Sequence, residues 1–222
     1  MTVYDIAARL PCIDVLRQRC KALAMLDVII GGDYYTYDRA WGADEAAAMR
    51  NGSGEEYDIV FTAGGAFIRG VYHESPMFAH THGRLWPGLL DGLPEVFRSQ
   101  VDEPAFGGPG GTLNASFVLW RGAGDGRWHA GDDIDFSPAD DEEEDPDGSW
   151  LLDILLDDIA EKYHEHAEEV YEVDLPRSAV GHVAGFLPLT DPVIRALDPQ
   201  ADPAFVRAQA EKLGYPLAEE AA

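Results

Sequence analysis

Two short runs of aromatic and β-branched residues, YDIVFT (57–62) and AFIRGVY (66–72), constrain the fold more than any other feature of this chain. Ala63-Gly64-Gly65 separates them, and glycine supplies the positive φ angles that tight hairpin turns require. Runs of the same kind occur at 34–37, 116–120 and 127–130, and the last two flank a glycine-rich turn at 122–126. We therefore predict a mostly antiparallel sheet of about five strands.

Helical patterns lie on both sides of these strands. Apolar residues recur at helical spacing over 12–28 until Gly31-Gly32, and Cys12 and Cys20 are expected to face the core from this helix. An Ala-rich segment predicts a short helix over 43–50, and an apolar stripe from Leu151 to Val170 predicts a long one. Shorter helices are expected near 177–186, from Thr190 and from Asp202. The chain is thus predicted to have an α+β fold, with an N-terminal helix, an antiparallel sheet and a C-terminal helical portion.

Negative charge is concentrated in the C-terminal part of the chain. The 222 residues include 41 acids and 16 bases, for a net charge of −25, and residues 131–222 hold 25 of the acids and 5 of the bases. Residues 131–147 carry ten acids and no base, which is typical of a solvated loop or linker. We predict a sheet-containing part at 1–130, an acidic linker at 131–147 and a helical part at 148–222 that packs on the first as one domain.

The charge excludes some classes of partner. Nucleic acids and anionic membranes are bound through clustered lysine and arginine, so neither is an expected partner. The first twenty residues contain Asp5, Arg9 and Asp14, which is not the pattern of a secretory signal, and the apolar stretch ALAMLDVII is interrupted by Asp27. We predict a cytoplasmic location.

The leading functional hypothesis is a noncatalytic acidic binding protein, of the immunity or regulatory kind, that meets a basic protein partner. An acidic surface accelerates and orients encounter with a basic one. No catalytic residue and no cofactor is predicted. The residues expected to bind the partner are Asp153, Asp157, Asp158, Glu161, Trp41 and Trp86.

Two alternatives remain open at this stage. His80 and His82 would point the same way in an extended segment, with His73 nearby in sequence, so a metal-assisted hydrolase could use these three imidazoles. His164 and His166 instead lie on different sides of a helix and are expected to be solvated. A carbohydrate or peptide binder that uses Trp41, Trp86 and Trp120 is the other alternative.

Three strings carry a resemblance to a known family: Tyr-Asp-x-x-Trp-Gly from Tyr37, Met-Arg-Asn-Gly-Ser-Gly from Met49, and His-Glu-Ser-Pro-Met from His73. Together with the surrounding segments they resemble a widespread family of uncharacterised bacterial proteins over most of residues 20–200. This resemblance implies no reaction, because that family has no established catalytic residues. In architecture the chain is also similar to the SUKH superfamily of toxin-immunity and regulatory proteins, although the N-terminal signature of that superfamily is missing. A likeness of architecture does not establish function.

Overall fold

The computed structural model describes residues 1–108, 111–136 and 145–218. The α+β prediction is confirmed, since helices precede and follow an antiparallel sheet. The helices are α1 (Val3–Arg9), α2 (Ile13–Ile30), α3 (Ala79–His82), α4 (Arg98–Val101), α5 (Ile159–Tyr171), α6 (Arg177–Ala184), α7 (Asp191–Leu197) and α8 (Pro203–Leu213). The strands are β1 (Tyr35–Trp41), β2 (Asp44–Arg50), β3 (Glu56–Thr62), β4 (Gly65–Val71), β5 (Phe117–Gly122) and β6 (His129–Ala130). Short 3-10 helices span Glu95–Phe97, Pro104–Phe106 and Ser149–Leu155.

The sheet has six strands in the order β1-β2-β3-β4-β5-β6, so each strand lies beside its neighbour in the sequence. Thr62 pairs with Gly65 at the β3–β4 turn, and Gly70 pairs with Phe117 between β4 and β5. At Gly70 any Cβ atom would overlap the Phe117 ring, so the absence of a side chain leaves room for this ring.

The prediction of a helix over 43–50 is wrong, because these residues form β2. Only Gly42 and Ala43 separate β1 from β2, and Gly42 has a φ of 61°, which suits a two-residue hairpin turn. Ala47 and Met49 then alternate into the core. Sheet pairing on this strand outweighs the helical propensity of three consecutive alanines.

The chain divides into two compact units that interleave along the sequence. Unit 1 comprises Met1–Ile13 and Met49–Asp153, and unit 2 comprises Asp14–Ala48 and Ile154–Ala222. Unit 1 therefore extends beyond residue 148, where the helical part was expected to begin. Residues 137–144 of the predicted acidic linker lie outside the described residues.

An ion-pair network around the buried Arg69 and Asp58 lies in the sheet of unit 1. Arg69, only 2% exposed, contacts the carboxylates of Asp58 and Glu56, and Arg50 also binds Asp58 at 2.6 Å. The Arg69 guanidinium donates to the main-chain oxygen of Asn114 at 3.1 Å and lies over the Phe106 ring. A buried charge needs such partners to offset its lost hydration.

The long helix predicted for 151–170 is interrupted. Residues Ser149–Leu155 form a 3-10 helix, and Asp158 has a φ of 59° immediately before α5 begins. The Arg19 guanidinium, which belongs to α2, donates hydrogen bonds to the main-chain oxygens of Leu155 and Leu156. These carbonyls thus have a side-chain partner in place of α-helical bonds, which ends the first helical stretch.

The expectations for the last helices and for Cys20 are confirmed, whereas that for Cys12 is wrong. Thr190 and Asp202 cap α7 and α8 through their side-chain oxygens, and Gly214 ends α8 in the left-handed conformation. Cys20 is buried in α2, but Cys12 precedes the first turn of that helix and is exposed. Over the described ranges 1–108, 111–136 and 145–218, no helix combines the length and apolarity needed to cross a membrane.

Candidate functional site

The most strongly charged region of unit 2 is residues 157–174, which we call the acidic segment. It contains α5 and its flanking turns, and Lys162 is its only basic residue. All eight carboxylates in the segment are exposed: Asp157, Asp158, Glu161, Glu165, Glu168, Glu169, Glu172 and Asp174. The opposite face of α5 is buried through Tyr163, His164 and Ala167. The acids therefore line the solvent side of an anchored helix.

Most of these carboxylates lack a neutralising partner. Glu161 is paired with Arg177, whose hydrogen bond lowers the pKa of Glu161, and Glu168 and Asp174 face His164. Among the described residues, the side chains of the other five acids make no hydrogen bond or ion pair. Uncompensated charges of one sign on one helix raise the local negative potential, which favours a basic partner.

Two apolar side chains lie within the acidic segment. Val170 and Val173 are each 37% exposed, which makes them two of the few large apolar residues at the surface. Protein interfaces typically combine such apolar contacts with a polar rim. The segment could therefore offer a partner both charge and a small apolar contact.

The six residues predicted to bind a partner are distributed over both units. Asp157, Asp158, Glu161 and Trp41 belong to unit 2, whereas Asp153 and Trp86 belong to unit 1. Asp153 lies 3.8 Å from Arg9, and the Trp86 indole donates to the main-chain oxygen of Asp135. Trp41 and Trp86 are partly exposed, and Trp120, the third tryptophan of the carbohydrate alternative, is buried.

The structure does not bring His73, His80 and His82 together around one ion. His73 Nδ1 lies 2.5 Å from the Glu55 carboxylate, the His80 ring stacks on Phe78, and His82 Nε2 lies 2.6 Å from the main-chain oxygen of Pro76. Within the described residues, the one group of three with metal-binding spacing is His164, Glu168 and Asp174. The hydrolase alternative therefore gains no support from this geometry.

Both histidines of α5 are less exposed than the sequence suggested. His164 is 4% exposed, and its Nδ1 atom has no hydrogen-bond partner within the described part of the chain. The His166 ring is surrounded by four tyrosine rings, and burial lowers its pKa to about 4, so it is neutral at physiological pH. Those rings belong to Tyr34, Tyr35, Tyr163 and Tyr171.

A buried carboxylate lies next to this aromatic cluster. Asp27 of α2 is 1% exposed and accepts hydrogen bonds from the hydroxyls of Tyr163 at 2.6 Å and Tyr171 at 3.1 Å. It also accepts from the main-chain N–H of Tyr35 at 2.8 Å. One side chain thus joins α2, β1 and α5, which indicates a structural role.

Unit 1 contains an open cleft of about 520 Å³ between α1 and the β5–β6 hairpin. Its charged lining consists of Arg121, Arg127 and Asp132, and His129 also lines it. Arg121 donates to main-chain oxygens of Asp125 and Pro11. Arg127 is exposed and has no hydrogen-bond or ion-pair partner in the described ranges. The lining of this cleft therefore carries more positive than negative side chains, in contrast to the strongly acidic chain as a whole.

Comparison of the chain with protein-family models, with curated proteins and with solved structures finds no match. The resemblances drawn from the sequence strings therefore stay predictions, and a function can be inferred only from the geometry of the chain itself.

The group around His164 and the cleft in unit 1 were not predicted from the sequence. His164 and Glu168 are four residues apart on a helix, a spacing that was visible in the sequence. The position of Asp174 was not visible, because it depends on how the helix ends. The cleft is assembled from segments separated by more than a hundred residues, and no local pattern marks it.

Proposed function

We propose that this protein is a noncatalytic binding protein that recognises a basic protein partner through the acidic segment. The single observation that carries the proposal is the row of five exposed and unpaired carboxylates around α5: Asp157, Asp158, Glu165, Glu169 and Glu172. Val170 and Val173 supply apolar contact area within the same segment. Such a surface fits a partner with lysine or arginine around an apolar centre.

The row of like charges on α5 destabilises the isolated helix by electrostatic repulsion. Acids four residues apart on a helix repel one another, as Glu161, Glu165 and Glu169 do on α5. The helix is held by its buried face, so it tolerates this repulsion. A basic partner would relieve the repulsion on binding, and its attraction would weaken as salt screens the charges.

Charge reversal of three unpaired acids tests the proposal. The variant Asp157→Lys/Glu165→Lys/Glu169→Lys should bind a helical peptide with lysine on one face and leucine on the other at least about tenfold more weakly at low salt. Its affinity should also depend less on salt concentration. Fluorescence anisotropy of the labelled peptide measures both. Asp158 and Glu172 are left unchanged because both have positive φ angles.

The matched control changes the same number of charges elsewhere. Asp33, Asp91 and Glu95 are exposed, and their side chains make no ion pair among the described residues. The variant Asp33→Lys/Asp91→Lys/Glu95→Lys should bind the peptide within about twofold of the original chain. Equal weakening by both triple variants would show attraction by net charge alone and would contradict recognition by the acidic segment.

The cleft in unit 1 supports a second candidate function, the binding of a small organic anion. Arg127 lines the cleft and has no ion-pair partner among the described residues, and the apolar part of the lining includes Ala7, Ala8 and the 3%-exposed Trp128. A carboxylate on an apolar body would match this combination of a guanidinium and small apolar side chains.

Benzoate is a suitable probe for the cleft. It should raise the melting temperature of the original chain and of the control Arg84→Gln, because a ligand that binds the native state stabilises it. Arg84 is exposed and has no ion pair within the described residues. In Arg127→Gln the shift should be lost. Benzoate shifts of the same size in both arginine variants would exclude this site.

A further inference from the structure

His164 and Glu168 are placed side by side by the register of α5. They are four residues apart, and His164 Nδ1 lies 3.7 Å from a Glu168 carboxylate oxygen. The imidazole is 4% exposed and its Nδ1 has no hydrogen-bond partner in the described ranges. A buried imidazole nitrogen without a partner is uncommon, and this one faces the exposed carboxylate of Glu168.

Asp174 reaches the same imidazole because of the way α5 ends. Glu172 follows the helix in the left-handed conformation, with a φ of 56°, and the Val173 N–H donates back to the main-chain oxygen of Ala167. A left-handed residue at this position ends the helix. Leu175 is buried just beyond it, and Asp174 lies 3.6 Å from His164 Nε2.

The spacing of these three side chains suits a small dication. Their ligand atoms lie within 4.8 Å of one another. Zinc bound at about 2.0–2.2 Å to nitrogen and oxygen ligands holds those ligands about 3.3–3.6 Å apart. Glu168 faces Nδ1 of the ring and Asp174 faces Nε2, and one ion binds only one of these nitrogens. An ion at Nδ1, the nitrogen without a hydrogen-bond partner in the described ranges, would therefore require the exposed Asp174 carboxylate to turn toward it.

The ligand types favour some metals over others. The imidazole nitrogen favours zinc and related transition metals, whereas calcium and magnesium prefer ligand sets made of oxygen alone. The surrounding acids of the segment add to the attraction of a dication. Three protein ligands would leave a fourth position to water.

We propose that His164, Glu168 and Asp174 form a binding site for one Zn²⁺ ion. The proposal does not depend on a basic partner, because the ion would bind the isolated chain. The same geometry could instead be an imidazole paired with the two carboxylates, and that arrangement would take up no metal.

Isothermal titration with Zn²⁺ and visible absorption with Co²⁺ test the site. The original chain should bind one ion tightly, and Glu168→Gln and Asp174→Asn should each weaken this binding at least about tenfold. Both of these side chains are exposed, so the variants should retain the fold. His164→Gln should abolish the tight site, and its melting curve would report whether it remains folded.

Glu169→Gln is the matched control, because it removes an exposed carboxylate from the same helix without touching the group. It should bind Zn²⁺ as the original chain does. Uptake of no ion by the original chain, or equal affinities for all of the carboxylate variants, would overturn the site and leave the ion-paired imidazole as the explanation. Peptide binding is measured separately, so the failure of either proposal can be recognised by itself.

Discussion

Replacing Asp27 by leucine should lower the free energy of unfolding by about 3–5 kcal/mol. The substitution keeps a side chain of similar size but removes the acceptor for two tyrosine hydroxyls and for the Tyr35 N–H. Tyr163 is fully buried, so its hydroxyl would have no water to bind. Urea denaturation measures the loss.

Two further variants identify the cause of that loss. Asp33→Leu changes a nearby exposed acid and should alter stability by no more than about 0.5 kcal/mol. Tyr163→Phe removes one donor and should make the loss at Asp27 smaller in the double variant than the sum of the single effects. Strict additivity would show that the hydrogen bond at 2.6 Å contributes little.

The same carboxylate has a distinct effect on the pH dependence of stability. Burial raises the pKa of Asp27 above its ordinary value of 3.8, and the hydrogen bonds from Tyr163 and Tyr35 oppose this only in part. The folded chain therefore holds the proton more tightly than the unfolded chain does. This contribution is fully present below the unfolded pKa and is lost as the pH rises through the raised folded pKa. Relative to Asp27→Asn, which cannot ionise, the original chain should lose stability over that range and then level off.

Replacing Gly65 by alanine should have an effect of similar size, about 3–5 kcal/mol, on the stability of unit 1. Gly65 begins β4 with a φ of 140°, a conformation that side-chain-bearing residues rarely adopt. A Cβ atom there would also overlap the main-chain oxygen of Arg121 on β5. Backbone atoms within a paired strand cannot move aside as a flexible side chain can.

Two other glycines in unit 1 separate the cost of the backbone conformation from the cost of the steric overlap. Gly52 has a φ of 75° with open space around it, so Gly52→Ala should cost only about 1–2 kcal/mol for the backbone conformation. Gly124 has neither feature, and Gly124→Ala should change stability by less than about 0.5 kcal/mol. Melting curves that rank the three variants in any other order would contradict the packing argument at Gly65.

The antiparallel sheet was accessible from the sequence because its hairpins are local. The β3–β4 and β5–β6 turns carry glycines between short apolar runs, and neighbours in the sheet are also neighbours in the chain. The helix wrongly predicted over 43–50 shows where local reasoning fails. Alanine fits a helix and a crowded strand alike, and pairing in the sheet decides between them.

The interruption before α5 could not be predicted from the sequence, for a different reason. The apolar stripe from Leu151 to Val170 has helical spacing, but Arg19 binds the Leu155 and Leu156 carbonyls from a distant part of the chain. Such a long-range hydrogen bond leaves no local pattern. The left-handed positions before and after α5 are occupied by Asp158 and Glu172. Because glycine is the usual residue at such positions, the sequence does not mark either end of this helix.

The amino-acid composition predicted the acidic surface better than it predicted which histidines could bind a metal ion. Charge counting located the negative potential in the C-terminal part, and three of the predicted contact residues, Asp157, Asp158 and Glu161, lie in the acidic segment. The histidines were a poorer guide, because metal ligation depends on which side chains meet in three dimensions. His164 was expected to be solvated, yet it is buried beside Glu168 and Asp174.

The different environments of the two cysteines make site-specific labelling possible without engineering. Burial raises the pKa of the Cys20 thiol well above its ordinary value, so little reactive thiolate forms there, whereas Cys12 is exposed. A maleimide dye or spin label should therefore attach at Cys12 alone while the chain is folded. Reaction at Cys20 would then report local opening of α2. Its rate would depend on the free energy of that opening.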